Sequence, residues 1–466
     1  MKYISTRCCK NKYTFEEVFM NGLSKDGGLY IPDSIPTLEL NNISNMSIYD
    51  LAFTIFRCYI DTSEINDNDL YNIINASFIK VPIHLKQFDN FSLLELFHGP
   101  TYSFKDIALQ VVGNLFEYFC KKRNEKINIL GATSGDTGSA AIYGIKEKSN
   151  IKCFILYPKN KVSNIQRRQM TTIDDSNIHS IEIDGNFDDC QKIVKDLFLD
   201  NEFKTEYKLS SVNSINWARI ISQIVYYFYA YFQLNKNNHT YINFSVPTGN
   251  FGNILAGFYA KNMGLPIYKL LIATNHNDIL YRILETGVYE KKEFKETLTP
   301  AMDITISSNF ERLLWYLIYE TDKNKITVCE KVDAYMQLLQ QTGKFTLEKE
   351  YIFNMKNTFI SEKITDDEII DTVKYVYNIY NYIPDPHTTV GIKAYMKYNE
   401  KIEEKITTIC IATAHPSKFE DTIYDILQIK NTPEQLKELY SKQEKIISLP
   451  MNTYHIKMFI KDNNKV

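Results

Sequence analysis

A lysine at the predicted start of a helix is the residue best suited to covalent chemistry in this chain. Lys105 follows Phe104 in the segment HGPTYSFKD, where a helical pattern from 104 to 119 begins. The positive end of the helix dipole and partial burial would lower its pKa and favour the free amine that a Schiff base requires. Taken alone, these residues favour the alternative, in which Lys105 is a surface lysine in a first helical turn beside Asp106.

A glycine-rich loop between a predicted strand and a predicted helix is suited to bind an anion. Its residues are Gly249, Asn250, Phe251, Gly252 and Asn253. Glycines let the backbone approach a ligand, and a helix N-terminus directs free N–H groups and a positive dipole towards it. The spacing is not the GxGxxG of a dinucleotide site, and an ordinary tight turn from strand to helix is the alternative.

A second loop of this kind adds hydroxyl groups to the backbone donors. It spans 131–138 and ends in Ser134, Gly135, Asp136, Thr137 and Gly138. Such a loop suits a carboxylate or a phosphate. Either Thr133 or Ser134 is alternatively a plain helix N-cap.

Strands and helices that alternate along the chain predict the sheets that position these loops. Strands are predicted at 91–97, 126–130, 151–157, 240–246 and 406–412, and helices at 104–119, from 139, at 164–171 and up to 260. This order predicts an α/β protein with parallel sheets, whose ligands bind at the carboxyl ends of the strands. The first 90 residues lack a phosphate loop and carry helical patterns at 48–59 and 67–78, so we expect an N-terminal cap. The segments 323–366 and 431–466 are expected to be peripheral.

The composition of the chain argues against several classes of function. The chain has 466 residues, 44% of them hydrophobic, and a formal net charge of -3, which gives no basic surface for nucleic acid. Its eight cysteines form no CxxC pair, and neither they nor the histidines show metal-site spacing, so no metal is predicted. The apolar run 220–234 is too short to span a bilayer, so it predicts a buried helix. The N-terminal residues lack a signal-peptide pattern, and a soluble cytoplasmic protein with no membrane partner is expected.

Six motifs, in this order and spacing, resemble the motif set of threonine synthases: HGPTYSFKD, ATSGDTGSAA, SVNSINWARI, SVPTGNFGN, DPHTTVG and TAHPSKF. The opening YISTR and DGGLYIP resemble that family too. The resemblance implies the fold type II architecture of pyridoxal-phosphate enzymes, similar to the tryptophan synthase β subunit, with two α/β domains. It implies a cap over 1–90 and a catalytic region over 91–466. Within that region, about 91–210 would include the smaller substrate-loop domain, and about 211–466 would be the larger cofactor-phosphate domain with the C-terminal tail.

The resemblance also implies roles for individual residues around pyridoxal 5'-phosphate. Lys105 would carry the cofactor as a Schiff base, the loop Gly249–Asn253 would bind its phosphate, and Thr413 would face its pyridine nitrogen. Ser134, Gly135 and Thr137 would bind the substrate carboxylate. Asp136 would lie at the phenolic oxygen of the ring, where related enzymes often have Asn. A carboxylate there would repel a phenolate unless the two share a proton.

The substrate's phosphate would lie at Asn213, Ser214 and Arg219, because a phosphate dianion favours a guanidinium fork with neutral donors beside it. A salt bridge at a helix start is the alternative for Arg219. Arg167 and Arg168 would add to this positive field or lie on a solvated helix end. His387 and His415 are expected to be hydrogen-bonded structural residues.

The reaction implied by the resemblance converts O-phospho-L-homoserine and water to L-threonine and phosphate, by γ-elimination and then β-addition of water. A phospho-lyase on the same scaffold, which releases a 2-oxo acid, ammonia and phosphate, is the alternative. It would need much the same cofactor and phosphate residues. An inactive scaffold is a further alternative, against which Lys105, both loops and Arg219 argue together.

Overall fold

The structure is a computed structural model that describes residues 1–234 and 240–464. Its strands, in chain order, are β1 (Tyr3–Ser5), β2 (Tyr30–Pro32), β3 (His84–Gln87), β4 (Ser92–Glu95), β5 (Ile127–Ala132), β6 (Ile151–Pro158), β7 (Ile178–Ile183), β8 (Leu209–Ser210), β9 (Ile242–Pro247), β10 (Ile267–Thr274), β11 (Val288–Glu290), β12 (Lys344–Thr346), β13 (Phe359–Lys363), β14 (Thr408–Ala412) and β15 (Ile447–Leu449).

Its α-helices are α1 (Phe15–Asn21), α2 (Leu40–Ile43), α3 (Ile48–Tyr59), α4 (Asp67–Phe78), α5 (Lys105–Arg123), α6 (Asp136–Ile145), α7 (Asn164–Thr171), α8 (Phe187–Leu199), α9 (Asn201–Glu206), α10 (Trp217–Leu234), α11 (Gly252–Asn262), α12 (Ile279–Thr286), α13 (Phe310–Asp322), α14 (Lys325–Thr342), α15 (Lys349–Thr358), α16 (Asp366–Tyr380), α17 (Pro386–Lys401), α18 (Glu420–Leu427), α19 (Glu434–Lys437) and α20 (Thr453–Asp462). Short 3₁₀ turns lie at Pro300–Met302, Pro416–Phe419 and Glu438–Tyr440.

A six-stranded sheet brings two of the predicted site segments to one edge. Its strand order is β13-β10-β9-β14-β4-β3, and all neighbours are parallel except the β3–β4 pair. Strands β9 and β14 are buried along their whole length, as expected for a parallel sheet covered on both faces. Since these two strands are adjacent and parallel, the loop that starts at Gly249 and the residue Thr413 both follow their carboxyl ends.

A five-stranded parallel sheet carries the other glycine-rich loop. Its order is β15-β7-β6-β5-β8, and the 133–138 loop leaves the carboxyl end of β5 to begin α6. The predicted α/β architecture with parallel sheets is therefore confirmed.

The C-terminal tail, which is expected from the sequence to be peripheral, lies on this second sheet. Strand β15 pairs with β7 in the register Ile447 to Ile181. Ile456 and Ile460 of α20 are buried in the hydrophobic cluster of the five-stranded sheet. The apolar side chains of the tail are too sparse to show a clear periodicity, yet they cover a face of that sheet that would otherwise be exposed.

The N-terminal residues pack against the helix that carries Arg219. Tyr3 of β1 donates a hydrogen bond to the carbonyl of Tyr59 in α3 (2.6 Å) and accepts one from the indole of Trp217 in α10 (3.2 Å). Helix α10 is buried through most of its length, as the apolar run predicts. Among the described helices, none has both the length and the apolar composition needed to cross a membrane.

Candidate active site

Lys105 lies where the two sheets meet, at the first residue of α5. The segment before it is fixed to the end of β14, because Ser103 and Ala414 form an antiparallel bridge and the Phe104 amide donates to the Thr413 carbonyl (2.8 Å). The Lys105 side chain is only 14% exposed, and its Nζ is 3.8 Å from Oδ2 of Asp136. Burial lowers the pKa of Lys105 despite the opposing effect of Asp136. The lowered pKa makes the neutral amine, which is the nucleophilic form, easier to reach than in an exposed lysine.

Asp106, the next residue, holds the turn that precedes Lys105. Its carboxylate accepts from the amide of Thr101 (2.8 Å) and from the hydroxyl of Thr101 (2.6 Å). Burial raises the pKa of Asp106 to about 6, so its role is to shape the backbone. The sequence alone allowed Asp106 to be the exposed neighbour of a surface lysine, but in the structure Asp106 is buried.

A buried ion pair that the sequence analysis did not assign fixes Asp136. Lys418 is fully buried, and its Nζ is 2.9 Å from Oδ1 of Asp136. Lys418 also donates to the carbonyl of Thr101 and to Oε1 of Gln169, each at 2.8 Å. The Gln166 amide donates to Asp136 as well (2.8 Å). Although burial opposes it, the positive charges of Lys418 and Lys105 lower the pKa of Asp136, which is therefore a carboxylate.

The loop from Thr133 to Gly138 is closed by its own hydrogen bonds and keeps two hydroxyl groups free for a ligand. Thr133 Oγ1 accepts from the amides of Gly135 (3.0 Å) and Gly138 (2.8 Å), so Thr133 is the residue that closes the turn. Gly135 has a φ of 144°, and an added Cβ would lie 2.5 Å from the Gln166 side chain. Ser134 is exposed and Thr137 half-buried. Their hydroxyls donate no hydrogen bond to any described residue, so they are available to a carboxylate.

The loop from Gly249 to Asn253 presents a row of unpaired backbone donors. None of its five N–H groups has an acceptor among residues 1–234 and 240–464. Phe251 adopts a φ of 65°, which turns the chain into α11. At Gly249 an added Cβ would lie 3.1 Å from Ile304 and 3.2 Å from the Ala301 carbonyl. This backbone therefore forms a narrow, positively polarised cradle at a helix N-terminus.

The side chains of Phe251 and Asn253 differ in what they offer to a ligand. The Phe251 ring packs against Phe310 and Phe359, with centroids 5.8 Å apart in each case. The Asn253 carbonyl oxygen Oδ1 accepts from Tyr226 (2.6 Å) and Tyr227 (2.8 Å) of α10. The predicted cofactor contact of Phe251 is thus limited to its backbone amide, whereas Asn253 Nδ2, which is buried and has no partner among the described residues, is a further donor.

Thr413 places an unpaired hydroxyl at the edge of the same sheet. Its Oγ1 is buried and has no hydrogen-bond partner among the described residues. Its amide is held by Thr388 Oγ1 (3.0 Å), which in turn donates to Asp385. Because an isolated buried hydroxyl is unfavourable, Thr413 is suited to a polar atom of a ligand such as a ring nitrogen.

The two histidines have structural contacts. His387 accepts from the Ala301 amide through Nε2 (3.2 Å), and its Nδ1 is 3.2 Å from Asp385, which fixes the tautomer that donates from Nδ1. Ala301 packs on Gly249, so His387 supports the cradle from outside. Burial lowers the pKa of His415 to about 4, and its Nδ1 accepts from the Ser417 amide (3.2 Å).

Arg219 is a buried cation with no acidic partner. It is 6% exposed, and none of the described carboxylates forms an ion pair with it. Its Nη1 donates to the Val212 carbonyl (3.1 Å), whereas Nε has no partner in the described structure. Burial lowers the pKa of Arg219 to about 10, so it stays charged at neutral pH. The described residues therefore form no salt bridge with Arg219, in contrast to the alternative interpretation, and a buried guanidinium without an acidic partner is suited to bind an anionic ligand.

The other candidates for the phosphate site divide into two groups. Ser214 Oγ lies 3.2 Å from Ser308 Oγ, which donates to Asn250 of the cradle (3.2 Å). Asn213 is exposed and bonds to Ser211 (2.9 Å). Neither Arg167 nor Arg168 adds to the field of Arg219, because both pair with Glu444 of the C-terminal tail.

These observations fit pyridoxal phosphate. The buried Lys105 amine is suited to covalent attachment, the five free amides of the cradle suit a phosphate dianion, and the Thr413 hydroxyl suits a neutral ring nitrogen. The negative charge of Asp136, which on the sequence alone would repel the phenolic oxygen, is compensated by Lys418 at 2.9 Å.

Comparison with known families and sequences gives one consistent result. The family model described as threonine synthase N terminus matches residues 2–78, that of pyridoxal-phosphate dependent enzymes matches 79–350, and threonine synthase, C-terminal matches 388–460. The chain is similar to threonine synthase of Saccharomyces cerevisiae, at 45% identity over 95% of this chain and 94% of the other. It is also similar to threonine synthase of Pseudomonas aeruginosa, at 42% identity over 99% and 98%.

Comparison with solved structures points to the same family. The crystal structure of threonine synthase from yeast matches with a TM-score of 0.95 at 43% identity, covering 99% of this chain and 98% of that one. A pyridoxal-phosphate-bound threonine synthase from Brucella melitensis matches with a TM-score of 0.94 at 38% identity, covering both chains completely.

Proposed function

The chain belongs to the threonine synthase family of pyridoxal-phosphate-dependent enzymes, and from this premise we propose how its own residues carry out the reaction. Its cofactor is pyridoxal 5'-phosphate and its activity is that of a threonine synthase. We take the substrates to be O-phospho-L-homoserine and water, and the products to be L-threonine and phosphate. The observation that carries this assignment is the environment of Arg219. Its guanidinium is buried, its Nε has no partner among the described residues, and it lies close enough to Lys105 to lower the pKa of Lys105.

We assign the six-stranded sheet to the larger, cofactor-binding domain and the five-stranded sheet to the smaller, substrate-loop domain. The amides of Gly249, Asn250, Phe251, Gly252 and Asn253 would hold the cofactor phosphate. Thr413 would bind the pyridine nitrogen, and Lys105 would hold the cofactor covalently. When bound, the cofactor supplies an electron sink that makes protons next to the substrate's α-carbon acidic.

Lys105 is the group that moves protons in this proposal. Once the substrate amine has displaced it, the free amine of Lys105 accepts the proton from the α-carbon. The lowered pKa of Lys105 favours the neutral base, and the ammonium it becomes can return a proton later in the reaction. A single amine thereby serves both the loss of the α-proton and the final protonation.

Arg219 and Ser214 would bind the phosphate group of the substrate. A phosphate dianion supplies the acceptor that Arg219 Nε lacks, and a charge-assisted hydrogen bond in a buried site is strong. When the Cγ–O bond breaks, negative charge grows on the departing phosphate, so Arg219 also favours that step electrostatically. Asn213 is too exposed to contribute to the same degree.

The loop from Ser134 to Thr137 would hold the substrate carboxylate while water adds at the β-carbon. The ion pair between Asp136 and Lys418 fixes the start of α6, and Lys418 is thus a positioning residue. Tight binding of the carboxylate keeps the unsaturated intermediate in the site until water reaches its β-carbon.

Product analysis with O-phospho-L-homoserine tests this proposal. We expect phosphate and threonine in nearly equal amounts, with 2-oxobutanoate as a minor product. Thr137→Ala should slow turnover and raise the share of the oxo acid, because one hydrogen bond to the carboxylate is lost. Wild-type protein that releases mainly 2-oxobutanoate and ammonia, or that prefers O-phosphothreonine, would favour the phospho-lyase instead.

A further inference from the structure

Two histidines and a glutamate come together outside the cofactor site, at the β3–β4 edge of the six-stranded sheet. His84 lies in β3, Glu95 ends β4, and His98 follows three residues later. Each offers one ligand atom, and these atoms all lie within 4.8 Å of one another. The sequence shows no metal-site spacing here, because the β-hairpin and not a short motif brings His84 to the other two.

The backbone holds all three positions before any ligand binds. His84 and Glu95 are directly opposite in the antiparallel β3–β4 pair, where Cβ atoms are roughly 5 Å apart. The residue after His98 is closely packed, since a Cβ added to Gly99 would lie 2.4 Å from Val81 and 2.5 Å from Asp106. Little backbone ordering is therefore left for a ligand to impose.

The side chains present the chemistry of a metal ligand set. Glu95 Oε2 is 2.9 Å from His98 Nε2, and the His84 and His98 rings lie with centroids 4.3 Å apart. His84 is exposed, which leaves its ring free to rotate and the open side accessible to water.

We propose that His84, Glu95 and His98 form a binding site for a divalent transition-metal ion of the Zn²⁺ type, separate from the cofactor site. Two imidazoles and one carboxylate favour Zn²⁺ over Mg²⁺ or Ca²⁺, which prefer oxygen ligands. Bonds of about 2.0–2.2 Å at tetrahedral angles place ligand atoms roughly 3.4 Å apart, so His84 has to move inward by little more than an ångström. Water completes the coordination on the exposed side.

Titration calorimetry of the holoenzyme with Zn²⁺ measures the affinity and the number of ions bound. We expect one equivalent of Zn²⁺ to bind. His84→Ala should weaken binding at least about 100-fold, since loss of an outer-shell partner alone costs 10–100-fold.

Two control variants make this test decisive. His455→Ala removes an exposed histidine of α20 on the other sheet, and its affinity for Zn²⁺ should equal that of the wild type. Cys8→Ser/Cys9→Ser removes two adjacent half-buried thiols that could compete as Zn²⁺ ligands, and it should also leave binding unchanged. The proposal is overturned if wild-type protein binds no Zn²⁺, if His84→Ala binds it as tightly, or if the cysteine variant abolishes binding.

Discussion

Removal of Lys418 tests the buried ion pair that the structure places beneath the substrate loop. Lys418→Met keeps the approximate length of the side chain and deletes the charge. It leaves the Asp136 carboxylate, 6% exposed, without its partner at 2.9 Å, and it leaves the Thr101 carbonyl and Gln169 Oε1 without a donor. Breaking a buried pair on one side costs about 3–5 kcal/mol. We therefore expect a loss of roughly 4 kcal/mol in the free energy of unfolding.

Asp136→Asn provides the matched control. In this variant Lys418 still donates to Thr101 and Gln169, so the loss should be smaller, at about 2–3 kcal/mol. The double variant Lys418→Met/Asp136→Asn leaves no unpaired charge at this position. Its free energy of unfolding should therefore exceed that of Lys418→Met by at least about 1 kcal/mol. A soluble double variant beside a Lys418→Met protein that does not fold would support the same conclusion.

Urea unfolding of the holoenzymes, followed by far-ultraviolet circular dichroism, measures all four free energies. The cycle isolates the interaction of the two side chains, because each single variant removes the same contact. If the double variant loses as much as both single variants together, or if Lys418→Met is as stable as the wild type, the ion pair contributes nothing and Lys418 is not a positioning residue.

Three further variants test neighbouring features. Arg219→Ala should lower the apparent affinity for the phosphorylated substrate roughly ten- to hundredfold, through loss of about 1.5–3 kcal/mol of binding free energy. Its affinity for the cofactor, measured by fluorescence, should stay near that of the wild type. Substrate binding equal to that of the wild type would contradict the assignment. Thr413→Asp should shift the absorption spectrum of the bound cofactor, since a carboxylate favours a protonated ring nitrogen, and an unchanged spectrum in a folded variant would refute that contact. The pKa of Asp106 in the folded protein is about 6, above its ordinary value, so protonation of Asp106 stabilises the fold at low pH. This stabilising contribution is lost as pH rises from about 4 to about 6. Relative to Asp106→Asn, the wild-type free energy of unfolding should therefore fall across that range, by up to about 3 kcal/mol; parallel curves would contradict the burial of a raised-pKa carboxyl.

The sequence is most informative where the determining contacts are local. The predicted helices at 48–59 and 67–78 coincide with α3 and α4, because apolar periodicity and the N-caps Ser47 and Asn66 lie within the segments themselves. The predicted helix at 164–171 coincides with α7 for the same reason. Both glycine-rich loops follow strands, as predicted, because strand, loop and helix are contiguous in the chain.

Features that depend on distant partners could not be predicted in this way. Lys418 stands inside a recognised motif, but its role depends on Asp136, far away in the chain and on the other sheet. Arg167 and Arg168 looked available because their partner, Glu444, belongs to a tail with no clear pattern. Helix and strand periodicity describes which face of an element is apolar, and it carries no information about which charge lies opposite.

Covalent attachment of the cofactor to Lys105 is the central claim, and chemical reduction tests it most directly. Borohydride treatment of the yellow holoenzyme, followed by proteolysis and mass spectrometry, should place the reduced cofactor on the peptide that contains Lys105. Lys105→Ala should lose nearly all turnover and retain some cofactor through the amides of the Gly249 cradle. A reduced cofactor found on any other lysine, Lys418 included, would contradict the account.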